Sequence, residues 1–432
     1  MTKENLKCIY CFFDSKYQRL LKQKTYKIDR FEEKLVKYKE LYLTELQLIC
    51  SVEKCSCCLA SSNPQVKKWI NDLCNNLVDN LPVIEETFEE LIDIYLSFIS
   101  LGQKEAHDKM WSFLEQNELI NGATSLIGYT KLLFRGRAKK KGADSFSEID
   151  FFHIPFSKRN KISNQRFSIS GKPLLYLGYS VACVEQELGK NLNNISLSAF
   201  LPKYSCFYGN KVFELKNTFL SIIKDLPSLA SGGCELDYYF EGIVPNYNTI
   251  VKDLQMLILF EVLMFPVESK DTFIEEYVLP QMLTELLRKH DYIGVTYPST
   301  KEYNISGEHL YSDYNQNISF FTTYAKESDW DQHLKNCFHI IMLDGAEKYN
   351  FTTEDILSKI ELVIKKPRCP KNYNDFIIPL TKTLSHIEYL QHSKLNNIPY
   401  FKTDGGRLEL KFYFKLALLM DKLMDEFSEA TL

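Results

Sequence analysis

The chain has 432 residues, of which 45% are hydrophobic and 25% charged, with a formal net charge of -4. Its length suggests two or three domains, and its composition is that of a soluble globular protein. The mild acidity argues against a dedicated nucleic-acid binder, and the lack of an apolar run of about 18 residues argues against a membrane span.

The start, MTKENLKCIYCFF, has no apolar signal core, so a cytoplasmic location is expected. Twelve cysteines in such a chain point to reduced thiols or a metal site rather than a disulfide framework. Cys8 and Cys11 form one C-x2-C pair, and Cys55 and Cys58 form another. Two such pairs are a ligand set for a structural, tetrahedral Zn2+. The 43 residues between the pairs are long for a zinc ribbon, so a helical hairpin would have to bring them together. Cys50 and Cys57 are spare candidates; Cys74, Cys183, Cys206, Cys234, Cys337 and Cys369 read as buried hydrophobes.

Residues 16–50 carry apolar positions at three and four spacing and read as helical. Asn63 and Pro64 look like the cap and first position of the next helix, and helical patterns continue to about residue 125. The character changes near 127. IGYTKLLFRGRAKKK and RFSISGKPLLYLGYS are strand-like, the second broken by a Ser-Gly-Lys-Pro turn. SVACVEQELGK reads as a helix ended by Gly189. SLSAFLPKYSCFYG and KVFELKN read as strands or loops, and two buried helices follow around 249–267 and 274–290. DYIGVTYPST, NISFFTTY and CFHIIMLDG read as late strands, TTEDILSKIELVIKK and the segment from 406 to 427 as helices. The expected fold is α+β, with a helical segment 1–126, a mixed-sheet segment 127–330 and an α/β extension 331–432 packed on it.

Charge is uneven. Residues 131–172 hold eleven Lys/Arg against three Asp/Glu. Such a patch in an acidic chain suits a small anion such as pyrophosphate, or is a solvated face.

The middle of the chain resembles the RES family, named for an Arg, a Glu and a Ser. The matching pieces are LFRGR (133–137), FFHIPF (151–156), QRFSISGKPLLYLGYS (165–180), ACVEQELG (182–189) and IGVTYPST followed by NISFF, in the family's order. They cover roughly residues 130–325. CIYCFFDSKYQRLL also resembles the start of the helical domain that precedes some large RES domains. The resemblance implies a mixed-sheet core like that of ADP-ribosyltransferases, with NAD+ as substrate and often a toxic outcome. It implies Glu187, Ser299 and Arg135 as catalytic residues, and Arg137, Arg166, Tyr176 and His153 around the substrate. Family spacing puts the functional Glu about eleven residues after the Tyr, which favours Glu187 over Glu185.

Cleaving the nicotinamide–ribose bond passes through an oxocarbenium-like state, and nicotinamide leaves from a cationic form. The chemistry therefore needs a carboxylate near the ribose and a fork for the pyrophosphate. Each residue also has a plainer role open to it: a surface ion pair for Arg135 or Arg137, a turn brace for Arg166, core for Tyr176, a structural histidine for His153. Three functions remain in view: NAD+ hydrolysis or phosphorolysis, ADP-ribosylation of a macromolecule, and an inactive RES-like binding module. No Gly-x-Ser-x-Gly and no P-loop occurs. The family implies control by an antitoxin or regulatory partner; a homo-oligomer is compatible with the sequence.

Overall fold

The computed structural model describes residues 7–13, 15–49, 74–120, 132–139, 146–215, 247–267, 272–300, 315–343, 352–365, 373–395 and 398–429. The fold is mixed α+β and falls into two units. One is drawn from Met1–Gly122 and Leu215–Leu286, the other from Ala123–Glu214 and Leu287–Leu432.

The first unit is helical. It contains α1 (Ile9–Phe13), α2 (Ser15–Gln23), α3 (Phe31–Gln47), α4 (Leu81–Ser100), α5 (Gln103–Gln116), α8 (Tyr247–Leu263) and most of α9 (Val278–Lys289), while α6 (Val181–Leu188), α7 (Tyr204–Phe207) and α10 (Gln332–Asn336) belong to the other unit. In α3 the three- and four-residue spacing buries Phe31, Leu35, Tyr38, Tyr42 and Leu46. Rings of Tyr38, Tyr42 and Phe88 of α4 meet edge to face, a favourable aromatic geometry. Among them Lys22 Nζ lies 2.6 Å from Glu261 Oε2, both side chains almost wholly buried. Although 127–330 reads as one segment, α8 falls in the unit of the N-terminal helices, where Glu261 Oε2 accepts from Lys22 Nζ and from Tyr38 OH. Among the described residues no helix is long and apolar enough to cross a membrane.

The second unit is built on a seven-stranded sheet. Its strands are β1 (Leu133–Ala138), β2 (Leu174–Gly178), β3 (Ile195–Pro202), β4 (Lys211–Glu214), β5 (Tyr292–Pro298), β6 (Gln316–Phe321) and β7 (Phe338–Met342), in the order β4-β5-β6-β2-β1-β3-β7. All pairs are antiparallel except β4 with β5. β1 pairs along its whole length with β3, and β2 along its whole length with β6. Between β1 and β2 the register is a single pair, Phe134↔Gly178. The sheet is therefore two ribbons that touch once and then diverge.

Alternation sends Phe134, Leu197, Ala199 and Leu201 to one face, beneath α6 (Val181–Leu188), α11 (Thr353–Ile364), α12 (Tyr373–His392) and α13 (Asp404–Glu429). Leu133, Leu175, Leu177, Phe200, Ile318 and Phe320 point to the other face, against Phe151, Phe152 and Phe207. Two glycines set the depth of α6. A Cβ at Gly136 would lie 2.7 Å from Val184 Cγ1, and one at Gly178 would lie 2.9 Å from Val184 Cγ2. Only bare backbone lets the helix descend this far onto the sheet.

The stretch RFSISGKPLLYLGYS departs from expectation. Its second half is β2, but its first half is a bridge between Gln165 and Ser168 rather than a strand. Both backbone groups of each residue are used in closing that tight loop, at 2.9 and 3.1 Å, so no length remains for a ladder. Gly171, at φ 82°, then turns the chain into β2.

Candidate active site

Ser180 caps α6, its Oγ accepting from Cys183 N at 2.9 Å, and Gly189 ends it in the left-handed conformation at φ 58°. Val181, Ala182, Cys183 and Val184 are buried, which seats the helix and leaves its last turn partly exposed. Glu187 lies in that turn. Its Oε1 accepts from Ser299 Oγ at 2.6 Å and from Asn317 Nδ2 at 2.9 Å.

The strands explain why those partners meet it. Tyr297 pairs with Asn317, and Pro298 with Gln316. Ser299 N then donates to Asn315 O at 2.9 Å, so the pairing runs one residue further. Ser299 and Asn317 thus share the face that α6 covers. Cys183 fixes the amide, its Sγ donating to Asn317 Oδ1 at 3.4 Å while Nδ2 turns to Glu187. This cysteine does more than fill the core.

Glu185 has a different task. Its Oε1 accepts from Leu192 N at 3.2 Å, and burial pushes its carboxyl up. It secures the turn from α6 into β3, whereas Glu187 faces Ser299.

Tyr176 pairs with Ser319 on the same sheet face as Gly178. Nearby, the Tyr297 ring lies on Phe167 with centroids 4.3 Å apart. Burial, helped by Tyr176 and Glu187, holds the Tyr297 hydroxyl protonated. Arg166 precedes Phe167 in the loop and is half-buried.

Arg135 sits where the ribbons part. Its Nη1 donates to Tyr176 O at 2.9 Å, across the gap that the missing ladder leaves. Among the described residues no carboxylate lies in ion-pair range of it. Burial and the neighbouring Arg137 both oppose its charge. A guanidinium that stays protonated under such conditions, with donors to spare, is a ready anion site.

Arg137 and His153 are committed to structure. Arg137 Nε donates to Asp150 O at 2.8 Å and Nη2 to Phe152 O at 3.1 Å, holding the turn Glu148–Phe151. His153 Nε2 accepts from Asp331 N at 2.9 Å, which places its proton on Nδ1, 2.8 Å from Ile154 O. Burial lowers its pKa, so the ring is neutral.

Asn315, Asn317 and Tyr297 escaped the sequence reading. Asn315 is 1% exposed, yet among the described residues neither polar atom of its side chain has a hydrogen-bond partner. By parity it continues the row of Ser319 and Asn317 toward Ser299. A buried amide left unmet is costly, and such a group next to a polar cluster fits a ligand that supplies both a donor and an acceptor.

For the expected zinc set, Cys8 is buried before α1 and Cys11 is half-buried within it. Cys50, Cys55, Cys57, Cys58, Cys234 and Cys369 lie outside the described residues. Among the described residues no group of three or more His, Cys, Asp or Glu could hold a metal. A cavity of about 180 Å³, lined by Cys206, Arg288, Thr323, His333 and Cys337 among others, lies elsewhere in this unit and includes none of the residues around Glu187.

Comparison with known proteins gives one point of contact. Over 234 residues the chain is 30% identical to a Bacillus subtilis (strain 168) protein named "Putative toxin YopC". The match takes in 52% of this chain and 50% of that protein, so the chain spans about half the length of the curated relative it matches. No known family model and no solved structure matches.

Proposed function

We propose that the second unit breaks the bond between nicotinamide and ribose in NAD+, and that the protein acts as a toxin through loss of that nucleotide. The observation that carries this reading is the carboxylate of Glu187 held by Ser299 and Asn317 beside the parted strands. The resemblance to RES domains supports it from sequence, and the name of the Bacillus subtilis relative supports the toxic outcome.

In this reading Arg135 holds the pyrophosphate and Tyr176 lies against the nicotinamide. The C–N bond breaks with its electron pair passing to the ring nitrogen, which discharges the pyridinium and needs no acid. Glu187 stabilises the positive charge that develops on the ribose, and the hydrogen bonds from Ser299 and Asn317 keep the carboxylate aimed. Water adds to the anomeric carbon and loses a proton, or phosphate adds in its place. An antitoxin or other inhibitory partner would protect the host.

The test is incubation of the purified chain with NAD+, with and without phosphate, beside Glu187→Gln. Free nicotinamide and ADP-ribose appearing with the wild type alone support hydrolysis. A phosphorylated ADP-ribose that depends on added phosphate supports phosphorolysis, and label retained on a macromolecule supports transfer. Intact NAD+ under every condition overturns the reading.

A further inference from the structure

α6 has eight residues, too few to hold a helix by itself in water. Something outside must fix where Glu187 stands. The far end of the chain does so. Glu409, in α13, is fully buried. Its Oε1 accepts from Val181 N at 2.6 Å and from Tyr400 OH at 2.5 Å, and its Oε2 accepts from Tyr413 OH at 3.2 Å. Burial and the facing carboxylate keep both phenols protonated, so both remain donors.

Val181 is the first residue of α6, and a carboxylate there also meets the positive end of the helix. The start of α13 is shaped to come this close. A Cβ at Gly406 would lie 2.1 Å from Tyr400 O, and one at Gly405 would lie 3.5 Å from Ala182 N. Ala182 in turn packs with Leu390 and Tyr400. The N-terminal end of α6 is thus clamped by α13 and the segment before it. Six residues on, about 9 Å along the helix axis, stands Glu187.

We infer that Glu409 is a positioning residue: through Val181 it fixes the tilt and height of α6, and so places the Glu187 carboxylate against Ser299 and Asn317. The C-terminal segment is then part of the site's framework rather than an appendage. The catalytic arm of this inference rests on the NAD+ reading; its structural arm does not.

The experiment compares full-length wild type, Glu409→Ala and Glu409→Gln by steady-state NAD+ cleavage and by hydrogen exchange of backbone amides. In Glu409→Ala kcat should fall about tenfold or more with KM little changed, as a small misplacement of a reacting group demands. Amides of α6 should exchange faster while those of β5 and β6 keep their protection. Glu409→Gln should recover most of both, because its amide oxygen still accepts from Val181 N. Where Glu409→Ala does not fold, Tyr400→Phe removes the hydroxyl that donates to Glu409 Oε1 and carries the same readouts. Unchanged exchange in α6, or a loss of protection spread evenly over the unit with kcat per folded molecule preserved, overturns the inference. A wild type that leaves NAD+ intact sinks the proposed function, and the exchange arm still decides the role of Glu409.

Discussion

Ser299 Oγ donates to Glu187 Oε1 at 2.6 Å, joining residues 112 positions apart. A short bond of this kind orients one lobe of the carboxylate and leaves its charge in place. Glu187→Gln should therefore lower kcat for NAD+ cleavage about 10²- to 10³-fold, the usual cost of removing a charge-stabilising group. Ser299→Ala should cost less, and Glu185→Gln should leave kcat near wild type. Loss of activity in Glu185→Gln with Glu187→Gln unaffected would reverse the assignment of the two carboxylates.

Asn315 offers a sharper separation of ligand from scaffold. Replacing a buried amide that lacks partners by an apolar side chain of similar size removes a penalty. Asn315→Leu should keep or raise the melting temperature while raising KM for NAD+ severalfold. A lower melting temperature with unchanged KM would make Asn315 a structural residue.

Gly178 tests whether the depth of α6 matters. Gly178→Ala should lower kcat, because its Cβ would stand 2.9 Å from Val184 Cγ2. Adding Val184→Ala frees that space and should restore much of the loss. Losses that simply add in the double variant would mean the two sites are uncoupled.

The first unit is secured by Lys22 and Glu261. Lys22→Met leaves a buried carboxylate unmatched and should destabilise that unit by about 3–5 kcal/mol, read by chemical denaturation. A change below about 1 kcal/mol would show that water reaches the pair.

His339, on β7, is held to a pKa of about 4, chiefly by burial and then by Lys203. The folded protein keeps it neutral where the unfolded chain binds a proton, so stability falls as pH drops from about 6.5 toward 4. His339→Phe should flatten the fall in denaturation midpoint between pH 7 and 5. An equal fall in wild type and variant would assign the effect to other groups, such as His153.

Much of this was legible from local sequence. Ser180 and Gly189 mark the ends of α6, and the alternating character of LFRGR and the short apolar run LLYLG mark β1 and β2. The long helix α12 was not, because Pro379 stands inside it and reads as a breaker. Burial of Leu380, Ile387 and Leu390 outweighs that local preference. The hydrogen-bond partners Asn317 and Ser299 were legible only in part. Two asparagines at alternate positions opening an apolar strand were the available signal, but only the fold brings them to Glu187. The commitment of Arg137 and His153 to backbone groups was also beyond sequence, since it depends on carbonyls and amides that carry no side-chain signature.

Gly136 and Gly178 contribute no atom to the chemistry, yet they set how near the acidic residue can come. A related chain could keep every polar group of the site and still be inert if either glycine gained a methyl group. When active and silent versions of this architecture are sorted, those two bare positions carry as much information as the carboxylate they bring within reach.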